Sequence, residues 1–214
     1  MSHGDLAYST QALPAHTDTT YFTDPAGLQI FHQLHHDGTG GMSLLVDGFY
    51  AASQLSVKAY HTLARLGVPS HASGNKSHLL RPANHAALRH DQSGELVQVR
   101  WNNEDRGVLG FGWSPEDVPN WYEAAREFEE IIRSSKAEYW VQLRPGAMIG
   151  NLTFTGLANN SVIDNWRVMH GRASFTGSRR MCGAYVGADD WRARRNALRE
   201  GVRAHAEDTW RFGW

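Results

Sequence analysis

The sequence predicts a mainly β protein with helices packed on the outside of a barrel-like sandwich. Predicted strands outnumber predicted helices, and short turns join them. The chain has 214 residues, which is enough for one domain with a sizeable core and too few for two. We therefore expect residues 1–214 to form a single domain.

The first predicted elements are a pair of strands and a helix. An apolar run at 26–36 predicts a strand, the glycine-rich segment 37–41 a turn, and 42–47 the returning strand of a β-hairpin. Asp47 can cap the helix that follows, because a carboxylate accepts hydrogen bonds from the free amide groups of a first turn. We expect that helix to end at Gly67.

The middle of the chain contains the clearest helical pattern. Residues 69–90 are polar and lack periodicity, which indicates a loop, and 95–103 alternates like a strand. A helix is predicted over 114–135, with Ser114 as its N-cap. Its apolar residues recur at helical spacing and are expected to face the core, namely Trp121, Ala125, Phe128 and Ile132.

Further strands and a helix complete the predicted fold. The strands are expected at 138–146, 161–171 and 180–187. Asp189 opens the final helix. Its expected inward-facing residues are Trp191, Leu198 and Val202.

The composition argues against several classes of partner. Lys and Arg number 21 against 22 Asp and Glu, so the net charge of −1 provides no basic surface for nucleic acid or an anionic membrane. No apolar run approaches the ~20 residues that span a bilayer. The single cysteine, Cys182, excludes an internal disulfide and favours a reducing compartment. We therefore expect a cytoplasmic protein.

A histidine and an aspartate stand two residues apart in the stretch LPAHTDTTYF, at His16 and Asp18. Side chains two apart on a strand point the same way, so both can reach one metal ion. Such a pair also arises by chance in a chain with 12 histidines. A metal site therefore requires a third ligand from elsewhere in the chain.

His170 is the candidate for that third ligand. It ends a predicted strand and precedes Gly171, which permits close approach of another backbone. Two histidines and a carboxylate form the open-sided Fe(II) site of non-haem oxygenases. Arg179 follows, and a guanidinium suits a bidentate grip on a carboxylate. Taken singly, His170 can be a packed core histidine and Arg179 a solvated surface arginine.

Longer stretches around these residues resemble one enzyme family. The segments HTDTTYFTDPAGLQIFH, GTGGMSLLVDGFYAA, RWNNEDR and VIDNWRVMHGRASFTGSRRMCGAYV are similar to the trimethyllysine and γ-butyrobetaine dioxygenases of carnitine biosynthesis. The resemblance covers most of residues 5 to 200. It implies a double-stranded β-helix (jelly-roll) core and hydroxylation that depends on Fe(II), 2-oxoglutarate and O2, with ascorbate as reductant.

The resemblance also implies roles for individual residues. His16, Asp18 and His170 match the iron ligands. Arg179 matches the arginine that pairs with the distal carboxylate of 2-oxoglutarate. Ser43 lies where the wider superfamily often places a threonine hydroxyl on the co-substrate.

Four further residues match substrate positions of the family. Tyr8 and Tyr185 match cage tyrosines, whose rings attract a trimethylammonium group by cation–π interaction. Asp5 stands where γ-butyrobetaine enzymes carry asparagine, and its carboxylate suits the α-ammonium group of trimethyllysine. Asn102 matches a substrate-contacting asparagine. These matches favour trimethyllysine, hydroxylated at its β-carbon, over γ-butyrobetaine. The tyrosines can instead be packed strand residues, and Asp5 an exposed acid.

The chain departs from the family pattern in two places. Family members begin with a long N-terminal part that includes a small zinc-binding domain and the first core strands, so we expect a core that is incomplete there. A targeting segment in that N-terminal part would make the protein mitochondrial. The same part can also contain contacts of a homodimer. Residues 149–161 look inserted, either as a surface loop or as a translated intron.

Two readings from other functional classes stay open. The chain can be a non-catalytic fragment that keeps the ligands without a complete core. It can also be a zinc hydrolase that uses the same ligands, although that reading leaves Arg179 unexplained and offers no obvious general base.

Overall fold

The computed structural model describes residues 6–74, 77–81, 85–109, 112–145, 148–149 and 162–199. Asp5 and most of the predicted insertion at 149–161 lie outside the described residues. Among the described helices, none has the length and apolar character needed to cross a membrane.

Strands make up most of the regular structure, as the sequence predicts. The elements are, in chain order, a 3-10 turn Leu6–Tyr8, β1 (Leu13–His16), β2 (Leu28–His36), β3 (Ser43–Asp47), α1 (Gly48–Ser53), α2 (Val57–Arg65), β4 (Ser70–Gly74), β5 (Ser77–Arg81), β6 (Leu88–His90), β7 (Leu96–Val99), α3 (Asp117–Ile132), β8 (Glu138–Val141), β9 (Met148–Ile149), β10 (Val162–Asp164), β11 (Val168–Arg172), β12 (Arg179–Val186) and α4 (Ala188–Arg199).

Two antiparallel sheets form the body of the molecule. The first has the strand order β1-β11-β3-β8, and the second has the order β10-β2-β12 with β9 also paired to β2. Small hairpins of β4 with β5 and of β6 with β7 lie beside them. The predicted mainly β class with flanking helices is confirmed.

Alternation along β3 shows how the first sheet separates the large core from the space between the two sheets. Leu44 and Val46 belong to the large core that the sheet shares with α1, α2 and α3. Leu45 instead packs between the sheets, in a smaller cluster with Leu143 and Ile163. Successive side chains of a strand point to opposite faces, so the space between the sheets is left to alternate residues. That space contains the candidate site.

The helix predicted over 114–135 is α3, and its core face is confirmed. Trp121, Ala125, Phe128 and Ile132 are all buried. Its predicted cap is wrong, because the Ser114 side chain does not cap the helix. The Asp117 carboxylate instead accepts a hydrogen bond from the Ser114 amide at 3.1 Å.

The predicted hairpin of residues 26–47 is wrong, because its two strands belong to different sheets. β2 pairs with β12, β10 and β9, whereas β3 pairs with β11 and β8. Gly40 and Gly41 have φ angles of +77° and +70°, a conformation that glycine adopts without steric cost. Their backbone carries the chain from one sheet to the other.

The predicted helix from Asp47 to Gly67 divides into α1 and α2. Asp47 caps α1 as expected, its carboxylate accepting from the Phe49 and Tyr50 amides. Ser56 then starts α2, its hydroxyl accepting from the Ala59 amide and donating to Glu127 of α3 at 2.9 Å. A second cap and a tertiary contact therefore interrupt the helical pattern.

Three other expectations are corrected. The predicted loop at 69–90 contains the strands β4, β5 and β6. The single strand predicted at 161–171 is two strands in different sheets, since a turn stabilised by the Trp166 amide and the Asp164 carboxylate separates them. In α4, Leu198 is 67% exposed rather than inward-facing, and Val202 lies outside the described residues.

Gly171 permits the close approach of β1 to β11, and its replacement tests that packing. A Cβ atom at this position would lie 2.6 Å from the Leu13 carbonyl oxygen and 3.0 Å from that of Pro14. We expect Gly171→Ala to lower the free energy of unfolding by about 1–3 kcal/mol, because the backbone of β1 must move to admit the methyl group. Urea titration measures the change.

Gly187→Ala is the matched control for this substitution. A Cβ atom there would meet only the Asp190 side chain, at 2.7 Å from Oδ2, and that side chain can rotate away. Equal losses of stability in the two variants would contradict the assignment of a backbone clash at Gly171.

Candidate metal centre

The structure brings His16, Asp18 and His170 together between the two sheets. The Nε2 atom of His16 lies 3.4 Å from Oδ1 of Asp18, and the Nε2 atom of His170 lies 3.6 Å from Oδ2. The ring centroids of the two histidines are 4.5 Å apart. His170 is buried, and the other two side chains are partly exposed. The fold thus brings together predicted ligands that are far apart in the sequence.

The pairing of β1 with β11 explains this convergence. His16 is the direct cross-strand partner of His170 in this antiparallel pair. Directly opposed residues present their side chains on the same face of a sheet. Asp18 follows β1 and turns its carboxylate to the same side. The long-range pairing of two strands, rather than any local motif, therefore assembles the site.

His16 is oriented with its Nε2 atom available to a ligand. Its Nδ1 atom lies 2.8 Å from the Pro14 carbonyl oxygen. A carbonyl oxygen can only accept, so Nδ1 carries the proton and the lone pair remains on Nε2 in the neutral ring. Metal-bound histidines are commonly held by a hydrogen bond of this kind.

Asp18 is held at both its backbone and its carboxylate. The Asn165 side chain accepts from the Asp18 amide at 2.8 Å and donates to its carbonyl oxygen at 3.1 Å. The Tyr185 hydroxyl donates to Oδ2 of Asp18 at 2.7 Å, and the buried Gln29 amide donates to the same oxygen. These contacts restrict the carboxylate to one orientation while Oδ1 faces His16.

The three groups shift one another's protonation equilibria. Burial alone would raise the pKa of Asp18, but the charge of His170 and the hydrogen bond with His16 outweigh it and hold that pKa well below its usual range. Burial alone would lower the pKa of His16, but Asp18 outweighs it and raises that pKa. Burial and the charge of His16 lower the pKa of His170. At neutral pH the site therefore offers an ionised carboxylate between the two imidazoles.

This donor set fits a divalent transition metal. The donor atoms of the trio all lie within 4.8 Å of one another. Ligands bind such ions at about 2 Å, so the donors around one ion lie roughly 3–4 Å apart. Only a small inward movement is needed to meet that geometry. Two imidazoles and a carboxylate on one side leave the other side open, as in non-haem Fe(II) sites.

Arg179 and Ser43 lie in the same interior, on different sheets. Ser43 of β3 is buried and directly opposes Arg172 of β11, two residues after His170. Arg179 begins β12 in the second sheet, and its guanidinium carbon lies 5.7 Å from the centre of the Phe175 ring. Burial and the neighbouring charge of Arg172 lower the pKa of Arg179. Arg172 is buried and Arg179 is partly buried, and both guanidinium groups lie against the Phe175 ring.

The predicted substrate residues occupy different positions. Tyr8 lies in the 3-10 turn and is 72% exposed. Tyr185 is 57% exposed and reaches Asp18 through its hydroxyl. Asn102 lines a cavity of about 30 Å³ that also touches Thr20, and its side-chain oxygen accepts from the Glu104 amide at 3.0 Å. Asp5 lies outside the described residues.

A family model supplies the classification of the chain. The model described as "Taurine catabolism dioxygenase TauD, TfdA family" matches residues 1–185. The chain belongs to this family.

The chain is also similar in sequence to several curated proteins. Trimethyllysine dioxygenase from Neurospora crassa is 42% identical over an alignment of 234 positions, which covers 91% of this chain and 46% of the relative. The mitochondrial trimethyllysine dioxygenase of Bos taurus is 41% identical, over 88% of this chain and 43% of its own. Human γ-butyrobetaine dioxygenase is 30% identical, over 92% of this chain and 50% of its own length. The chain thus spans about half the length of the curated relatives it matches.

Solved structures of oxygenases share the fold. Asparagine oxygenase, solved in complex with Fe(II), 3-hydroxyasparagine and succinate, superposes with a TM-score of 0.63 at 16% identity, over 87% of this chain and 53% of that one. The non-haem iron oxygenase OrfP, solved in complex with Fe and α-ketoglutaric acid, gives a TM-score of 0.57 at 18% identity, over 87% of this chain and 53% of that one. The structural neighbours have the double-stranded β-helix core that the sequence resemblance implies.

In this member of the TauD/TfdA family, sequence reasoning missed the residues that hold Asp18. Gln29 is 2% exposed, although glutamine is usually a surface residue. Its position in the alternating run of β2, two before Phe31, is a signal that could have identified it as inward-facing. Asn165 is 1% exposed, and only the tertiary contacts of the turn between β10 and β11 show its role.

Proposed function

We propose that this chain is the catalytic part of an Fe(II)- and 2-oxoglutarate-dependent dioxygenase that hydroxylates trimethyllysine at its β-carbon. The observation that carries the proposal is the convergence of His16, Asp18 and His170 on one point between the sheets. Membership of a dioxygenase family and the relatives named trimethyllysine dioxygenase support it.

The protein side chains would divide the binding of iron and co-substrate between them. His16, Asp18 and His170 would hold Fe(II), while Arg179 and Ser43 would hold 2-oxoglutarate. When bound, these groups supply the chemistry by which O2 converts a substrate C–H bond to C–OH and 2-oxoglutarate to succinate and CO2. The hydrogen bonds of Gln29 and Tyr185 to Asp18 keep the carboxylate oriented throughout.

Specificity would come from groups that recognise the two ends of the substrate. Tyr8 and Tyr185 would face the trimethylammonium group, whose charge is attracted by aromatic rings. Asp5 would pair with the α-ammonium group, and Asn102 would hydrogen-bond the carboxylate. Greater identity to the trimethyllysine enzymes than to human γ-butyrobetaine dioxygenase, 42% against 30%, supports trimethyllysine over the alternative γ-butyrobetaine.

Succinate release tests the proposal and the choice of substrate together. We expect purified protein with Fe(II), 2-oxoglutarate and ascorbate to form succinate faster with trimethyllysine than with γ-butyrobetaine. Asp5→Asn should reduce turnover of trimethyllysine more than any turnover of γ-butyrobetaine, because only trimethyllysine has the α-ammonium group. Preference of the wild type for γ-butyrobetaine would contradict the role of Asp5. Metal and 2-oxoglutarate binding without turnover would favour the non-catalytic fragment.

Three other properties are part of the proposal. Ascorbate would serve as the reductant that keeps iron as Fe(II). The bovine and human relatives are named mitochondrial, which supports a mitochondrial rather than a cytoplasmic location. A homodimer is the proposed assembly, and light scattering on the purified chain measures its mass.

A further inference from the structure

A β-bulge in the second sheet turns His36 toward the interior. Along the β2–β12 pair, Gln33 opposes Met181, but the next step on β12 reaches Arg180, which opposes His35. β2 therefore contains one extra residue, Leu34, at this point. Strict alternation from Gln29 and Phe31 would place His35 inside, whereas the bulge places His36 there instead.

The neighbours of the two histidines agree with this assignment. His36 directly opposes Arg179, so their side chains share a face of the sheet. His35 opposes the exposed Arg180, is itself exposed, and lies 3.3 Å from the carboxylate of Asp37. His36 thus belongs to the interior and His35 to the surface.

His36 borders a small space shared with Arg179. Its ring packs edge-on against Phe175, at 5.9 Å between centroids. A Cβ atom at Gly41 would lie 3.4 Å from Cε1 of His36 and 3.6 Å from Cδ of Arg179. The guanidinium carbon of Arg172 lies 4.8 Å from the centre of the same Phe175 ring. Glycine at residue 41 therefore leaves open a space that the imidazole and a guanidinium both touch.

Three buried nitrogens in this cluster have no hydrogen-bond partner in the described part of the chain. They are Nε2 of His36, Nε of Arg172 and Nε of Arg179. The terminal nitrogens of Arg172 donate to the carbonyl oxygens of Ala7, Ser9 and Gln11. Arg172 and Arg179 also lack an ion-pair partner among the described residues. Buried polar groups are normally satisfied, so the cluster is arranged for an anionic acceptor.

We propose that His36 is a further co-substrate-binding residue, which donates its Nε2–H to the same 2-oxoglutarate carboxylate that Arg179 binds. The inference rests on the proposed function, which places that carboxylate at Arg179. The His36 imidazole would approach the carboxylate from β2, whereas the Arg179 guanidinium approaches from β12. The imidazole therefore adds a hydrogen bond from a direction that the guanidinium does not reach. The bulge at Leu34 is the structural feature that makes this contact available.

The test compares 2-oxoglutarate binding to the Mn(II)-loaded protein by isothermal titration calorimetry. We expect His36→Leu to weaken binding about 10-fold, since a hydrogen bond to a charged group contributes roughly 1.5 kcal/mol. His36→Gln, which retains an N–H donor, should stay within about 3-fold of wild type, against the 10-fold loss that removal of the bond predicts. His35→Leu is the matched control and should bind as wild type does. Mn(II) affinity should be unchanged in all three variants, which also verifies that they fold.

A second ligand isolates the carboxylate that His36 contacts. 2-Oxobutyrate keeps the keto acid end of 2-oxoglutarate and lacks its distal carboxylate, so its affinity should not respond to His36→Leu. Wild-type affinity of His36→Leu for 2-oxoglutarate, or an equal loss with 2-oxobutyrate, would overturn the inference. Mn(II) binding without any 2-oxoglutarate binding by the wild type would instead overturn the proposed function, and this inference with it.

Discussion

Replacement of His16 or His170 by alanine is expected to abolish succinate formation and to weaken Mn(II) binding by more than about 100-fold. Residues that merely support a metal ligand typically contribute 10–100-fold to affinity, so loss of a ligand itself should exceed that range. The two imidazoles also face one carboxylate at 3.4 and 3.6 Å, so loss of either imidazole leaves two of the three donors. Calorimetry or electron paramagnetic resonance with Mn(II) measures the affinity independently of turnover.

His61→Ala is the matched control for these variants. His61 lies on α2 rather than in either sheet of the trio, and its side chain is exposed. Because His170 is buried, His170→Gln provides a second variant that preserves more of the side-chain volume. Unchanged Mn(II) affinity in both the His16 and His170 variants would show that the trio is not the metal site.

Arg179→Lys is expected to raise the 2-oxoglutarate KM by about 10- to 100-fold while the trimethyllysine KM changes little. Lysine keeps the charge and loses the planar fork, and charge-assisted hydrogen bonds contribute roughly 1.5–3 kcal/mol. Arg179 also has no ion-pair partner among the described residues, so its binding capacity is available to a ligand. Initial rates of succinate release at varied 2-oxoglutarate measure the effect.

Arg180→Lys is an internal control that differs by one position. Alternation along β12 turns Arg180 outward, and its side chain is exposed while that of Arg179 is partly buried. We expect Arg180→Lys to leave both KM values at the wild-type level. Equal effects of the two substitutions would mean that the register of β12 relative to β2 is incorrect.

Where a local pattern was sufficient, the sequence predicted the structure well. The apolar spacing of α3 identified its buried face, because a helix repeats its own geometry at every turn. Asp47 was identified as a cap from its position before a helical pattern. Each of these depends on neighbours within a few residues.

Local patterns failed to predict the structure where strands pair with distant segments. Residues 26–36 and 42–47 look like a hairpin because a glycine-rich turn joins two strands, yet each strand finds its partners in a different sheet. The segment 161–171 looks continuous, yet the turn held by Asn165 divides it between the sheets. Tertiary hydrogen bonds outweigh the predicted hairpin in the first place and the predicted strand in the second, and no local pattern contains that information.

The sequence by itself determined which groups we propose for the chemistry, namely His16, Asp18, His170 and Arg179, because residue types and the resemblance to a family single them out. Only the tertiary structure decided how those groups are supported. The pairing of β1 with β11 sets His16 opposite His170, and the hydrogen bonds of Gln29 and Tyr185 orient Asp18. The bulge in β2 selects His36 over His35 for the interior. Strand register and bulges arise from hydrogen bonding between distant segments, so side-chain periodicity within one segment cannot reveal them.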